Sequence, residues 1–346
     1  MRELHVIIDG QYGSTGKGLL AGIIAQEKQI DTICTAWGPN CGHTFIDRFG
    51  RKFVHTMLAN GIVGASVKRV LIGPGSVINP ENLEREIAEA GAVLGKVQVV
   101  IHPHAAIVTD EHRETEDRTM TAIGSTKKGV GEAVIQRIRR DPHNQNTAIK
   151  CKHELIRDLV VDARTYDWFL DRSEKVMVEG AQGFSLSMYH GFYPYTTSRD
   201  VSTHQVLADC GIPFNAVPTS VYGCFRTYPI RVANRYNESG EMVGTSGPCY
   251  PDQMELNWAD LGMEPELTTV TKLPRRIFTW SETQYLDAIR MLGVTHPFIN
   301  FMNYIKDEDY QHKFIGRLNE IGPRVRYLGF GPTEMEVINA DNSWYR

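Results

Sequence analysis

The apolar positions of this chain fall into two patterns that alternate along its length. Leu4-His5-Val6-Ile7-Ile8 is a short β-branched-rich run that stops at Asp9-Gly10, the pattern of a buried strand entering a loop. Arg69-Val70-Leu71-Ile72, Val97–Ile101, Lys175–Val178 and Phe298–Phe301 repeat it. Between these runs the apolar residues recur at helical spacing, in Leu19–Gln26, Asn82–Ala90, Gly131–Arg139, His153–Phe169 and Glu282–Leu292. Strand and helix in alternation predict an α/β fold with a mainly parallel central sheet covered by helices. The polar stretch Thr109–Arg118 reads as a surface helix or an excursion from the domain. Residues 222–280 hold many Gly, Pro and Thr and read as loops with an antiparallel excursion. With no internal repeat and no Pro/Ser-rich linker, residues 1–346 are expected to form one domain with insertions.

Composition narrows the function classes. The chain is 42% hydrophobic and 23% charged, enough for a large core, which excludes disorder, collagen and coiled coil. With 37 basic against 41 acidic side chains, net charge −4, neither a nucleic acid nor an anionic membrane is expected as partner. No apolar run approaches the roughly 18 residues needed to span a bilayer. The first residues run straight into a strand without an apolar leader, and six scattered cysteines form no C-x-x-C pair. Together these lead to the expectation of reduced thiols in a cytoplasmic protein.

The chemistry begins at Gly10-Gln11-Tyr12-Gly13-Ser14-Thr15-Gly16-Lys17-Gly18, between the first strand and the first helix. Glycines let backbone N–H groups converge on an anion, the helix N-terminus adds a favourable field, and Lys17 supplies a point charge. The pattern nearly matches a Walker A loop, but Gly18 stands where Ser or Thr would hold Mg²⁺, so a metal must find other ligands. An ordinary strand-to-helix turn is the plain alternative, less favoured by three glycines and Gly-Lys in this setting. His43, in Asn40-Cys41-Gly42-His43-Thr44, would alone read as structural; beside a phosphate loop it becomes a candidate acid or hydrogen-bond donor to a phosphoryl group.

These two segments, with Ala122-Ile123-Gly124-Ser125-Thr126, Glu179-Gly180-Ala181-Gln182-Gly183, Tyr193–Ser198, Thr269-Val270-Thr271, Pro274-Arg275-Arg276 and Gly331-Pro332, resemble the adenylosuccinate synthetase family, in family order over nearly the whole chain. The resemblance implies the adenylosuccinate synthetase fold, related to P-loop NTPases, and a two-step ligase. A nucleoside triphosphate phosphorylates O6 of a 6-oxopurine nucleotide, and the aspartate amine then displaces phosphate at C6. It implies Mg²⁺ as cofactor, with Ser14 and the Gly42 carbonyl as ligands. Gly13, Ser14, Thr15, Gly16, Lys17, Gly18, Leu19, Gly42, His43 and Thr44 would hold the triphosphate. Arg275, Phe301, Asn303, Gly329, Phe330 and Gly331 would complete the donor site. Ser14, Asn40, Cys41, Ser125, Thr126, Gln182, Thr197 and Leu273 would hold the acceptor nucleotide. Arg140 would reach the acceptor of a neighbouring subunit, which implies a homodimer. Thr269, Val270, Thr271 and Arg275 would take the aspartate carboxylates, a guanidinium fork suiting a carboxylate; an isolated Arg pair is more often a solvated loop.

Three departures from the family pattern bear on substrate. Ser14 stands where the family carries an Asp that takes the N1 proton, and a hydroxyl is a poor base without a partner. It leaves room for the 2-amino group of guanine, which points to dGMP or a related acceptor. Leu273 replaces an Arg near the ribose, which suits a 2′-deoxy sugar, unless it is simply an apolar loop residue. Asn300-Phe301-Met302-Asn303 replaces the guanine-reading Thr-Lys-x-Asp; Asn303 offers one donor and one acceptor to an adenine edge, and Phe301 a ring to stack, so ATP or dATP is the expected donor. The three together resemble a phage branch of the family that takes dGMP, L-aspartate and ATP toward 2-aminoadenine for modified DNA. Ser14 and His43 are the expected catalytic residues. The alternatives are a compact IMP- and GTP-using synthetase, and a nucleotide-dependent switch in which the blocks at 182–197 and 269–276 would have no role.

Overall fold

The computed structural model describes residues 1–143, 146–268 and 272–342. Among them nine strands form one sheet: β1 (Glu3–Asp9), β2 (Thr32–Thr35), β3 (Arg69–Ile72), β4 (Gln98–Ile101), β5 (Lys175–Glu179), β6 (Ser220–Arg226), β7 (His296–Asn300), β8 (Tyr327–Gly329) and β9 (Val337–Asn339). Their spatial order is β9-β8-β7-β6-β1-β5-β2-β3-β4, with every pair parallel except the edge pair β8–β9. The alternation in β1 explains why both faces are covered. Leu4, Val6 and Ile8 enter one apolar cluster, while Ile7 enters a second with Leu20 and Ile24 of α1 (Lys17–Glu27). A parallel strand at the sheet centre must be apolar on both sides, and β1 from Leu4 to Asp9 is buried throughout.

Two expectations change. The run His153–Phe169 is not one helix but two, Glu154–Leu159 and Ala163–Asp171. Val160 leaves the helix to bridge Ile101 at the sheet edge, and Asp162 caps the second helix by accepting from Thr165 N at 3.0 Å. Residues 222–280 contain more than loops. Their beginning belongs to β6, a wholly buried central strand. Gly223 disguised it, because a β-carbon there would lie 2.6 Å from Val294, so the strand needs a residue that reads as a turn former. The remainder is antiparallel as expected, with Ile230–Arg231, Arg276–Phe278 and Glu255–Leu256 in a three-stranded patch and Arg235–Tyr236 paired to Met242–Gly244. Thr109–Arg118 is a surface helix, Asp110–Thr119.

Candidate active site

Four neighbouring strands, β7, β6, β1 and β5, end on polar side chains: Asn300, Arg226, Asp9 and Glu179. All four are buried, three of them completely. Ligands of open α/β sheets bind beyond the carboxyl ends of the strands, so a row of buried polar termini there marks the working edge. Each terminus organises one part of the site.

Asp9 shapes the phosphate loop. Its Oδ1 accepts from the backbone N–H of Gln11 (2.8 Å) and Gly13 (3.2 Å), while Oδ2 accepts from Thr15 Oγ1 (2.5 Å) and Lys17 Nζ (3.0 Å). Gly13, Ser14 and Gly16 all have positive φ (91°, 58° and 94°), which turns the chain tightly enough to point amides inward. Gly16 is the N-cap of α1 and provides no capping side chain, so an anion has no internal competitor for the first-turn amides. Gly18 is explained by packing. A β-carbon there would lie 2.3 Å from Asn60 Nδ2 and 2.9 Å from the Thr44 backbone, so the hydroxyl residue of a Walker loop has no room. Leu19 is buried in the core below, and Ser14 is exposed at the loop's crest.

Glu179 holds His43. His43 starts a short hairpin (His43–Ile46 with Lys52–His55), and its Nδ1 lies 3.1 Å from Glu179 Oε1. The other carboxyl oxygen accepts from Asn60 N (3.0 Å) and Gly61 N (3.3 Å). Trp37 packs its ring 4.0 Å from the imidazole and donates from Nε1 to the Glu179 carbonyl at 2.6 Å. Burial pushes the Glu179 carboxyl up to about 8 against the pull of the two amides and Lys17. Burial, with Lys17 and His55 nearby, holds His43 well below the usual imidazole range. At neutral pH the two directions describe one state, an uncharged carboxyl donating to an uncharged ring at Nδ1. The imidazole proton is then on Nε2, the tautomer that can donate to a phosphoryl oxygen.

Asn300 joins the phosphate loop to the donor-base segment. Its Nδ2 donates to Thr15 O (3.2 Å) and its Oδ1 accepts from Phe301 N (2.8 Å). Two glycines make room for this amide: a β-carbon on Gly16 would lie 2.2 Å from Nδ2, and one on Gly329 2.1 Å from Oδ1. The expected donor residues Phe301 and Gly329 therefore meet the loop through a side chain that the sequence reading quoted but did not assign. Asn303 is exposed, with its carbonyl taking Lys306 Nζ at 3.1 Å. Gly331 lies against the Glu336 carboxylate, and Phe330 N donates to Glu336 O at 2.8 Å.

The residues expected at the acceptor gather less completely. Gln182 follows β5 with φ 63°, and its neighbour Gly183 packs on the phosphate loop, where a β-carbon would lie 2.4 Å from Gln11 O and 2.5 Å from Gly13 N. Gln182 is thereby carried to the loop. Thr197 is fixed nearby through its N–H to Leu186 O (2.7 Å), and Cys41 is turned inward to Gly38 O (3.0 Å) beside Asn40 and the exposed Gly42. Thr126 and Leu273 line one cleft of about 480 Å³ together with Lys127, Lys128 and Arg235. Arg235 donates to the carbonyl of Ser125, a residue expected at the acceptor. Arg140 stands apart, exposed at the C-cap of the helix Val130–Arg139. Thr269, Val270 and Thr271 lie outside the described residues; Arg275, at the neck of that segment, is half-buried.

Asp9, Glu179, Arg226, Glu266 and Arg235 were not assigned roles from sequence. For the first two the signal was present, since Leu4–Asp9 and Lys175–Glu179 are strand-like runs closed by a carboxylate, whereas Gly223 hid the strand that ends at Arg226.

This edge defines a nucleotide-dependent phosphoryl-transfer enzyme, in which a phosphate loop and a proton-bearing imidazole share one strand terminus row. The adenylosuccinate synthetase family profile matches residues 6–150 and 141–304, and the chain belongs to that family. Within it the chain is 46% identical to the N6-succino-2-amino-2′-deoxyadenylate synthase of Salmonella phage PMBT28 over 97% of each chain. The succinoaminodeoxyadenylate synthetase of cyanophage S-2L, solved with dGMP and with dATP as an energy donor, superposes with a TM-score of 0.89 at 43% identity, covering 98% of this chain and 95% of that one. The adenylosuccinate synthetase of Plasmodium falciparum, 18% identical, shares the fold with a TM-score of 0.76 over 98% of this chain and all of that one.

Proposed function

We propose that this protein joins L-aspartate to C6 of dGMP at the expense of ATP or dATP, giving N6-succino-2-amino-2′-deoxyadenylate, the precursor of 2-aminoadenine for modified viral DNA. The observation that carries this reading is Ser14, an exposed hydroxyl at the crest of an otherwise intact phosphate loop. A carboxylate at that position would crowd the exocyclic amine of guanine, whereas a hydroxyl can accept from it. The phage relatives, alike over nearly the whole chain, support the same acceptor.

In the first step the bond from the γ-phosphorus to the β,γ-bridging oxygen breaks, the nucleoside diphosphate leaves with the electron pair, and the γ-phosphoryl group bonds to O6 of the purine as the N1 proton is released to solvent. Lys17 and the loop amides hold the triphosphate, and the Nε2 proton of His43 stabilises charge on the migrating group. In the second step the aspartate amine forms a bond to C6, the C6–O bond breaks, and inorganic phosphate leaves with its electron pair. The exposed residues Ser14 and Gly42 offer a hydroxyl and a carbonyl, hard oxygen donors that would hold Mg²⁺. When bound, that ion supplies charge neutralisation on the phosphates.

The enzyme works as a homodimer: Arg140 is exposed beside Ile135 and Ile138, the latter 67% exposed, an apolar helix face suited to a second copy. Among the described residues no helix is long and apolar enough to cross a membrane, in keeping with the host cytoplasm. Product analysis with dGMP, GMP and IMP competing in one tube tests the reading. The 2-amino-deoxy product should dominate; faster use of IMP with GTP would overturn it, and nucleotide turnover without aspartate adduct would favour a switch protein.

A further inference from the structure

Arg226 occupies a position that neither catalysis nor substrate contact explains. It ends the central strand β6 with no exposed surface, and its backbone is clipped on both sides by the Gln11 amide (2.9 and 3.1 Å). Its guanidinium touches three parts of the site at once. Nη1 donates to the Ser14 carbonyl at 3.3 Å, at the crest of the phosphate loop. The guanidinium carbon lies 3.8 Å from the centre of the Phe301 ring, the expected platform for the donor base. Nη2 and Nη1 pair with the Glu266 carboxylate at 2.5 and 3.3 Å. Glu266 in turn accepts from Tyr304 Oη (2.8 Å), and its carbonyl accepts from Arg275 N (2.8 Å), closing the neck of the 266–275 segment. Phe301 is locked from its other end, its carbonyl taking Thr227 Oγ1 at 2.7 Å and its ring meeting Tyr304 edge-on.

We propose that Arg226 is a positioning residue that links the donor-base ring to the aspartate end of the site, with the pair of buried Arg226 and half-buried Glu266 carrying the seating of Phe301 to the backbone that presents Arg275. The inference rests on the function proposed above and on the role that the family resemblance implies for Arg275, taking an aspartate carboxylate. The physical reason is that a desolvated guanidinium in a fixed fork cannot shift toward one partner without changing its geometry to the others. A donor base that stacks on Phe301 fixes the guanidinium, and with it Glu266 and the Arg275 N–H that the Glu266 carbonyl holds. The two substrates therefore bind with positive coupling.

A double-mutant cycle on the aspartate KM tests this, with dGMP and ATP saturating. Phe301→Leu, at the donor end, is expected to raise the aspartate KM about fivefold in the wild-type background but less than about twofold when Glu266 is already Gln. The KM for dGMP should stay within about twofold in all variants, a split that general loosening of the fold would not produce. If Glu266→Gln does not fold, since it leaves the Arg226 charge buried with a weaker partner, Arg226→Lys gives the same cycle, keeping the charge while removing the planar fork that reaches Glu266 and Phe301 together. A rise in the ATP KM alone for Phe301→Leu, or effects that simply multiply, overturns the link. Absence of aspartate adduct with the wild-type enzyme would instead overturn the function on which it rests.

Discussion

Replacing Glu179 separates the two states that a buried carboxyl beside an imidazole could adopt. Glu179→Gln keeps the shape: its amide oxygen can accept from Asn60 N and Gly61 N, and its amide N–H can donate to His43 Nδ1. Glu179→Ala leaves two buried amides and the ring nitrogen without partners, at about 1–3 kcal/mol for each. If the native carboxyl is neutral, Gln should hold turnover within about tenfold of wild type while Ala loses far more. If it were a carboxylate, Gln would forfeit a charged hydrogen bond worth about 1.5–3 kcal/mol, and the two variants would fall together. Stability reads the same state independently. The Glu179 carboxyl, raised from 4.5 to about 8 by burial, binds a proton in the native state that the unfolded chain has released above its ordinary range. Its contribution is therefore full at low pH and is lost as pH rises through 8. His43, held below its usual range, acts oppositely and only below about pH 6.5, where the unfolded imidazole gains a proton. The other buried histidines and cysteines are common to both proteins, so the difference between them reports Glu179: with about 1.4 kcal/mol per pH unit, the wild type should lose about 2 kcal/mol between pH 6.5 and 8.5 that the Gln variant keeps. Urea unfolding at both pH values measures this. Parallel pH dependence in wild type and Glu179→Gln would refute the neutral pair.

The acceptor preference is expected to follow one side chain: Ser14→Asp should move selectivity from dGMP toward IMP by about 10–100-fold in kcat/KM, the size of a charged hydrogen bond gained or lost. Unchanged selectivity in competition assays would remove the argument from the 2-amino group. His43→Ala should lower single-turnover phosphoryl transfer by about 10²–10⁴ while nucleotide affinity by titration stays within a few-fold. Near-normal turnover would reduce His43 to a packing residue. Gly18→Ala places a β-carbon 2.3 Å from Asn60 Nδ2 and should cost about 1–3 kcal/mol in urea unfolding; a neutral result would mean that Asn60 moves freely.

How the chain divides between what is readable and what is not can be followed in particular residues. The phosphate loop was legible because glycine spacing, strand and helix are local matters, and the helix Glu282–Leu292 was legible to the residue because its period and its Ser281 cap lie in one stretch. The break at Val160 was not, since it depends on a bridge to Ile101, nearly sixty positions earlier. Nor was β6, whose Gly223 follows from the Val294 side chain packed over it.

The sequence by itself determined the fold class, the anion-binding turn and the candidate imidazole, because each rests on residue type at short spacing, and its resemblance to the family exposed the three departures that bear on acceptor base, sugar and donor base. Only the tertiary structure decided which groups those residues meet. It placed Glu179 against His43 across 136 positions, set Asn300 between Gly16 and Gly329, and brought Ser14, Phe301 and Glu266 onto Arg226. Parallel strands far apart in the chain end side by side along one edge of the sheet. Protonation state and coupling arise from that adjacency and from exclusion of water, neither of which is a property of local sequence.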